Sequence, residues 1–202
     1  MLAVVAMAAL VYGVRTTLPE LRRIVRESVP VLVAAATLSA MAGLTLEKSF
    51  TDLDTFPALL VLVPAFVSSA GALGGILSGR LSSKLLLGLV DPETLPGREA
   101  RADIGFVFLL ALPVYLFNGS GAHFTAVLLD QRSPGLGEMV TASLVAGAFA
   151  MAFVVVVAYY GTVAAFRTGL DPDTYGIPVV SSSVDFVGAL TLVLSIAALG
   201  IT

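Results

Sequence analysis

The feature that most constrains this chain is its division into five uncharged or nearly uncharged apolar blocks, each about as long as a helix needs to cross a bilayer. Val29–Leu46, Phe56 to about Leu77, Ile104 to about Leu128, Met139–Phe166 and Pro178–Ile201 contain no Lys or Arg and a single acidic residue. About 20 apolar residues rising ~1.5 Å each cover the ~30 Å of hydrocarbon in a membrane. The apolar residues run continuously rather than in stripes of period two or 3.6, the pattern of a helix surrounded on every side by lipid or by other helices. Composition excludes the soluble alternative. The chain is 57% hydrophobic and 12% charged, with a mean hydropathy of +0.98, against about 25% charged in an average soluble domain. The expected fold class is therefore all-α integral membrane, a five-helix transmembrane bundle.

Ahead of the first block, Met1–Val14 predicts an extra short N-terminal helix. Its 14 residues reach only about 21 Å, which suits an interfacial helix or a short sixth span. A cleaved signal peptide fits less well, because no positive charge precedes the apolar run. Leu18–Ser28 is amphipathic, with Leu21, Ile24 and Val25 on one side and Arg22, Arg23 and Arg26 on the other, as in a helix lying at the headgroups. The expected organisation is thus 1–28 as a short apolar plus amphipathic N-terminal unit and 29–202 as a five-span membrane domain.

Basic residues set the expected orientation. Arg15, Arg22, Arg23 and Arg26 precede the first block, Arg80, Lys84, Arg98 and Arg101 follow the second, and Arg167 follows the fourth; the remaining loops hold only Lys48 and Arg132. Positive-inside bias then puts the N-terminal side of span one in the cytoplasm of a multi-pass cell-membrane protein and the C-terminus outside. The net charge of −3, spread over loops, points to no nucleic-acid partner. The absence of cysteine removes disulfides, thiolate metal sites and cysteine nucleophiles. The single histidine, His123, cannot build a multi-histidine centre, and a serine–histidine protease would need it beside Ser68 or Ser69 without any supporting signature. No enzyme is expected.

The lone acid at membrane depth is Asp185, seven residues or about 10 Å past Pro178. An aspartate there costs on the order of 2.5–3.5 kcal/mol on insertion scales, and intramembrane carboxylates mostly mark ion or proton paths; the alternative is a protonated Asp185 hydrogen-bonded to a neighbouring helix, holding together a non-transporting membrane subunit. Ser181 and Ser182 stand four and three residues before it and Gly188 three after it, so one helix face carries hydroxyls, a carboxylate and open backbone. Such an oxygen-only set suits a hard cation that keeps its waters, as Mg²⁺ does; Na⁺ or H⁺ is also compatible. A serine in a membrane helix can instead bond back to its own helix. In span two, Ser68-Ser69-Ala70-Gly71-Ala72-Leu73-Gly74-Gly75 either lets two helices touch or opens carbonyls to an ion.

Two runs carry a family resemblance. Val63-Pro64-Ala65 with Gly71, Gly74 and Ser78-Gly79-Arg80-Leu81-Ser82 resembles the second-helix signature of the MgtE-type magnesium transporter membrane domain and of its animal solute-carrier relatives. Gly169-Leu170-Asp171-Pro172-Asp173 with Pro178, Ser181-Ser182, Asp185 and Gly188 resembles the entry to that domain's last helix. The resemblance covers about residues 20 to 202. It implies divalent cation transport, Mg²⁺ foremost, along a two-fold interface in a homodimer or a pair of like domains, with Asp185 as central ligand and Ser181, Ser182, Gly71 and Gly188 around it. The family usually has Asn directly after the glycine matched by Gly71; this chain has Ala72, which removes one amide ligand. With only some 28 residues before span one, no room is expected for the cytoplasmic Mg²⁺-sensing domains of many bacterial members.

Overall fold

The computed structural model of the chain describes residues 28–41, 43, 44 and 56–201, apart from the side chains of 173–176. The expected N-terminal helix at Met1–Val14, the amphipathic segment before Ser28 and the loop bearing Lys48 lie outside the described residues. The elements are α1 (Ser28–Met41), α2 (Pro57–Leu86), α3 (Arg98–Leu128), α4 (Leu136–Arg167) and α5 (Pro172–Ala198). Among the described residues there is no strand. The chain is an all-α membrane bundle: α2, α3, α4 and residues Ile177–Ala198 of α5 are long and apolar enough to cross a membrane, and α1 is a shorter apolar helix.

The helix ends refine the sequence reading. α2 runs past the apolar block that ends near Leu77 and stops at Leu86. The stop is made by Gly88, which takes the left-handed conformation at φ +68°, so that Leu89 N–H reaches back to Lys84 O at 2.8 Å and closes the last turn. Gly169 ends α4 in the same way, with φ +71° and Leu170 N–H on Ala165 O at 3.0 Å. At 30 to 32 residues, α2, α3 and α4 are roughly 45–48 Å long and protrude beyond the hydrocarbon. Accordingly α3 begins at Arg98, ahead of the apolar block at Ile104, and α5 begins at Pro172, where a proline costs a helix no hydrogen bond; Pro178 falls inside it.

The helices α2 and α4 form the middle of the bundle. Each packs on the other and on both α3 and α5, whereas α3 and α5 do not meet among the described residues. Leu59, Leu62, Phe66 and Leu77 of α2, Tyr115 of α3, Met139, Met151 and Tyr159 of α4, and Leu192 and Ile196 of α5 fill the core. Close approach depends on small residues: a Cβ at Gly119 would meet the α4 backbone at Met139 O and Val140 Cα, each at 2.7 Å. One at Gly147 would collide with the Tyr115 ring. Outside, Leu109, Leu112, Phe117, Phe124, Leu128 and Phe149 stand exposed, an apolar coat that water would not tolerate and lipid does.

Candidate functional site

Three helices meet at Asp185. The residue sits half-buried on α5, and its Oδ2 accepts a hydrogen bond from Ser39 Oγ of α1 at 3.2 Å. Across from it on α2 is Gly71, where an added Cβ would lie 3.5 Å from Asp185 Oδ1 and 3.9 Å from Ser181 Cβ. Glycine therefore leaves a notch, one methyl deep, directly against the carboxylate. Among the described residues Oδ1 accepts no hydrogen bond, and no Lys or Arg pairs with Asp185.

Three of the five residues singled out in the sequence, Asp185, Ser181 and Gly71, are thus brought together. Ser181 Oγ donates to Ile177 O of its own helix at 2.9 Å, which occupies its proton and leaves its oxygen able to accept or ligate. Gly188 lies one turn along α5 against Ala70 Cβ and a Phe66 ring carbon, both 3.8 Å from an added Cβ, so it faces α2 beside the core. Ser182 is buried, and among the described residues no hydrogen bond joins it to Asp185. The glycines of span two divide by role. Gly74 is a packing glycine, because a Cβ there would come within 2.8 Å of Val180 Cγ1 and 3.4 Å of Val154 Cγ1.

A second polar cluster lies at the C-terminal end of α2, where the mixture of Asp91, Glu93, Glu99 and Asp103 with Arg98 and Arg101 in the sequence reads as a solvated loop. Asp103 is instead buried. Its Oδ1 accepts from Arg80 Nε at 2.8 Å and Nη2 at 2.7 Å, and Lys84 Nζ lies 2.8 Å from Oδ2 and 3.5 Å from Glu99 Oε2. Arg80 also covers the Phe106 ring at 4.8 Å. The signal for this was present: Arg80 and Lys84 on one helix and Glu99 and Asp103 on the next are both spaced by four, so that each pair shares a face. At the same end Arg167 donates to Pro92 O through Nε at 2.9 Å and Tyr159 OH to Glu93 O at 3.1 Å, tying the α2–α3 connection to α4.

Several other polar side chains in the spans are partnered across helices. Asn118 Nδ2 donates to Ser69 Oγ at 2.9 Å, and Ser78 and Thr162 hydroxyls share a bond at 2.9 Å. His123 Nδ1 lies 2.8 Å from Ser133 Oγ in the α3–α4 connection, not beside Ser68 or Ser69. Among the described residues no three His, Cys, Asp or Glu side chains cluster as a metal cage.

Comparison with curated proteins gives no match. The family model described as divalent cation transporter, MgtE, matches residues 63–195, from the second turn of α2 to the last turns of α5. The match takes in both runs that carried the resemblance, the Gly71 notch, Asp185 and the Asp103 cluster. Spanning well over half of the 202 residues, it makes the chain a member of the MgtE family of divalent cation transporters.

Proposed function

We propose that the chain transports Mg²⁺ across the cell membrane along a pathway between two copies, with the Asp185 carboxylates of both chains as its central ligands. The observation that carries this reading is the half-buried state of Asp185. An ionised group at mid-membrane cannot face lipid without a cost of several kcal/mol, and its own chain covers it only in part. A second copy related by two-fold symmetry places a like surface against it and brings two carboxylates to one divalent ion. Ser181 and Ser182 hydroxyl oxygens and backbone oxygens near Gly71 and Gly188 complement the carboxylates, and the ion keeps part of its water shell, as Mg²⁺ does where few protein oxygens replace it.

Residues 29–202 form the transporting domain, oriented with the N-terminal side of span one in the cytoplasm and the C-terminus outside. The grouping of Arg80, Lys84 and Arg167 at one end of the bundle supports this sidedness. An inside-negative potential then draws the cation inward, by about 4.6 kcal/mol for a divalent ion at 100 mV.

The test is Mg²⁺ uptake into liposomes containing the purified protein, with an imposed inside-negative potential. Wild type is expected to load the vesicles, and Asp185→Asn to fall to the level of protein-free vesicles while eluting as the same oligomer on size exclusion. Undiminished uptake by Asp185→Asn would remove Asp185 from the pathway, and a smaller oligomer would make it an assembly residue.

A further inference from the structure

The hydroxyl of Ser39 is one of several that reach across helices, and its partner is the membrane-depth carboxylate of Asp185. In this bundle Thr37, Ser120, Thr141, Thr168 and Ser181 each turn back to the carbonyl four residues earlier, at 2.7 to 2.9 Å, the usual resting place for a helical hydroxyl in an apolar surrounding. Ser39 forgoes that bond and donates to Asp185 Oδ2, 146 residues away in the chain. It is placed to do so by the pattern of α1: beyond its first two residues, Val31, Ala35 and Leu38 form the covered stripe of an exposed helix, and Ser39 stands at the edge of that stripe. Its depth also matches, eleven residues or about 16 Å from the start of α1 at Ser28.

The consequence lies in the geometry of the carboxylate. With Oδ2 taken by a proton donor and Oδ1 lying against the Gly71 notch, rotation of the carboxylate is restrained, and among the described residues one oxygen accepts no hydrogen bond. A single-oxygen ligand suits Mg²⁺, which demands near-octahedral geometry and retains waters. Ca²⁺ is larger, takes more ligands and readily accepts both oxygens of one carboxylate. From this, and resting on the reading of Asp185 as the cation ligand, we infer that Ser39 is a positioning residue. It makes Asp185 a one-oxygen ligand and so sets the preference for a small, water-retaining divalent cation over a larger one. The short helix α1 thereby takes part in selectivity although α2 and α5 supply the backbone of the site.

The experiment compares wild type, Ser39→Ala, Ser39→Thr, Ser39→Val and Asp185→Asn in liposomes, with Mg²⁺ and Ca²⁺ uptake measured in competition. The rise in Tm produced by MgCl₂ and by CaCl₂ is recorded on the same purified proteins. Loss of a hydrogen bond to a charged group predicts that Ser39→Ala lowers the Mg²⁺-over-Ca²⁺ preference about tenfold in both readouts. Ser39→Thr, which keeps the hydroxyl, retains the wild-type ratio, and Ser39→Val, of the same shape without it, follows Ser39→Ala. The Thr and Val pair decides the matter if the alanine variant fails to fold. An unchanged ratio in Ser39→Val alongside an inactive Asp185→Asn overturns the role of Ser39 and leaves that of Asp185 standing. An active Asp185→Asn overturns both.

Discussion

Gly71 and Gly74 face the same neighbour, α5, from adjacent turns of α2, yet a methyl added at each meets different surroundings. At Gly74 it would press to 2.8 Å against Val180 Cγ1, on a β-branched side chain with little rotamer freedom in a helix. Gly74→Ala is therefore expected to destabilise the bundle by about 1–3 kcal/mol, as overpacking does, read as a lower Tm in detergent. At Gly71 the methyl would sit at ordinary contact, 3.5 Å from Asp185 Oδ1. Gly71→Ala should keep the Tm of wild type and lose most Mg²⁺ uptake, because it fills the space in front of Oδ1. Asp185 itself is legible in the sequence, since a lone acid in an apolar block carries a cost that demands a purpose. Ser39 is not. A single serine in an apolar helix ordinarily satisfies itself on its own backbone, and only the packing of α1 on α5 reveals that this one does not.

Among the elements, the apolar blocks mark where helices cross the membrane but not where they end. Hydropathy falls off at the headgroups while the backbone continues its hydrogen bonding, so α3 starts at Arg98 and α5 at Pro172, each six residues before its apolar block. Gly88 shows the converse, a conformational stop inside the apolar stretch Leu85 to Val90. The charged extensions are structural as well. Asp103 joins the lower parts of α2 and α3 by bonds to Arg80 and Lys84 with its own side chain only 2% exposed, whereas Glu99 is 60% exposed. Asp103→Ala leaves two cations without their shared anion and should cost about 1.5–3 kcal/mol, the range for hydrogen bonds to charged groups. Because Arg80 is 44% exposed, water offsets part of the loss and the lower end of that range is expected. Glu99→Ala should cost less than about 1 kcal/mol, as exposed pairs do. Equal Tm losses in the two variants would contradict the distinction between a buried joint and a solvated pair.

The whole molecule presents an apolar exterior at Leu109, Leu112, Phe117, Phe124, Leu128 and Phe149 and settles several of its membrane-depth polar groups between helices, as Asn118 does with Ser69 and Ser78 with Thr162. Asp185 departs from that economy, being half-covered by its own chain and held only by Ser39 among the described residues. The two-fold pathway proposed for the family's cargo resolves the departure by making one ion site from two chains, and this has a stoichiometric signature. When wild type and Asp185→Asn are unfolded or dissociated, mixed in equal amounts and reconstituted, random pairing leaves roughly a quarter of the dimers with both carboxylates. If one ion needs both, Mg²⁺ flux in the mixed vesicles falls to about a quarter of the all-wild-type value; if each chain conducts through its own Asp185, flux falls only to about half. Mixing after reconstitution, which prevents exchange, must give half in either case and serves as the control. A quarter places the transported cation between two carboxylates, where Coulomb attraction from two charges offsets what hydration it sheds. A half would locate the pathway within a single bundle, beside Asp185 where α1, α2 and α5 meet.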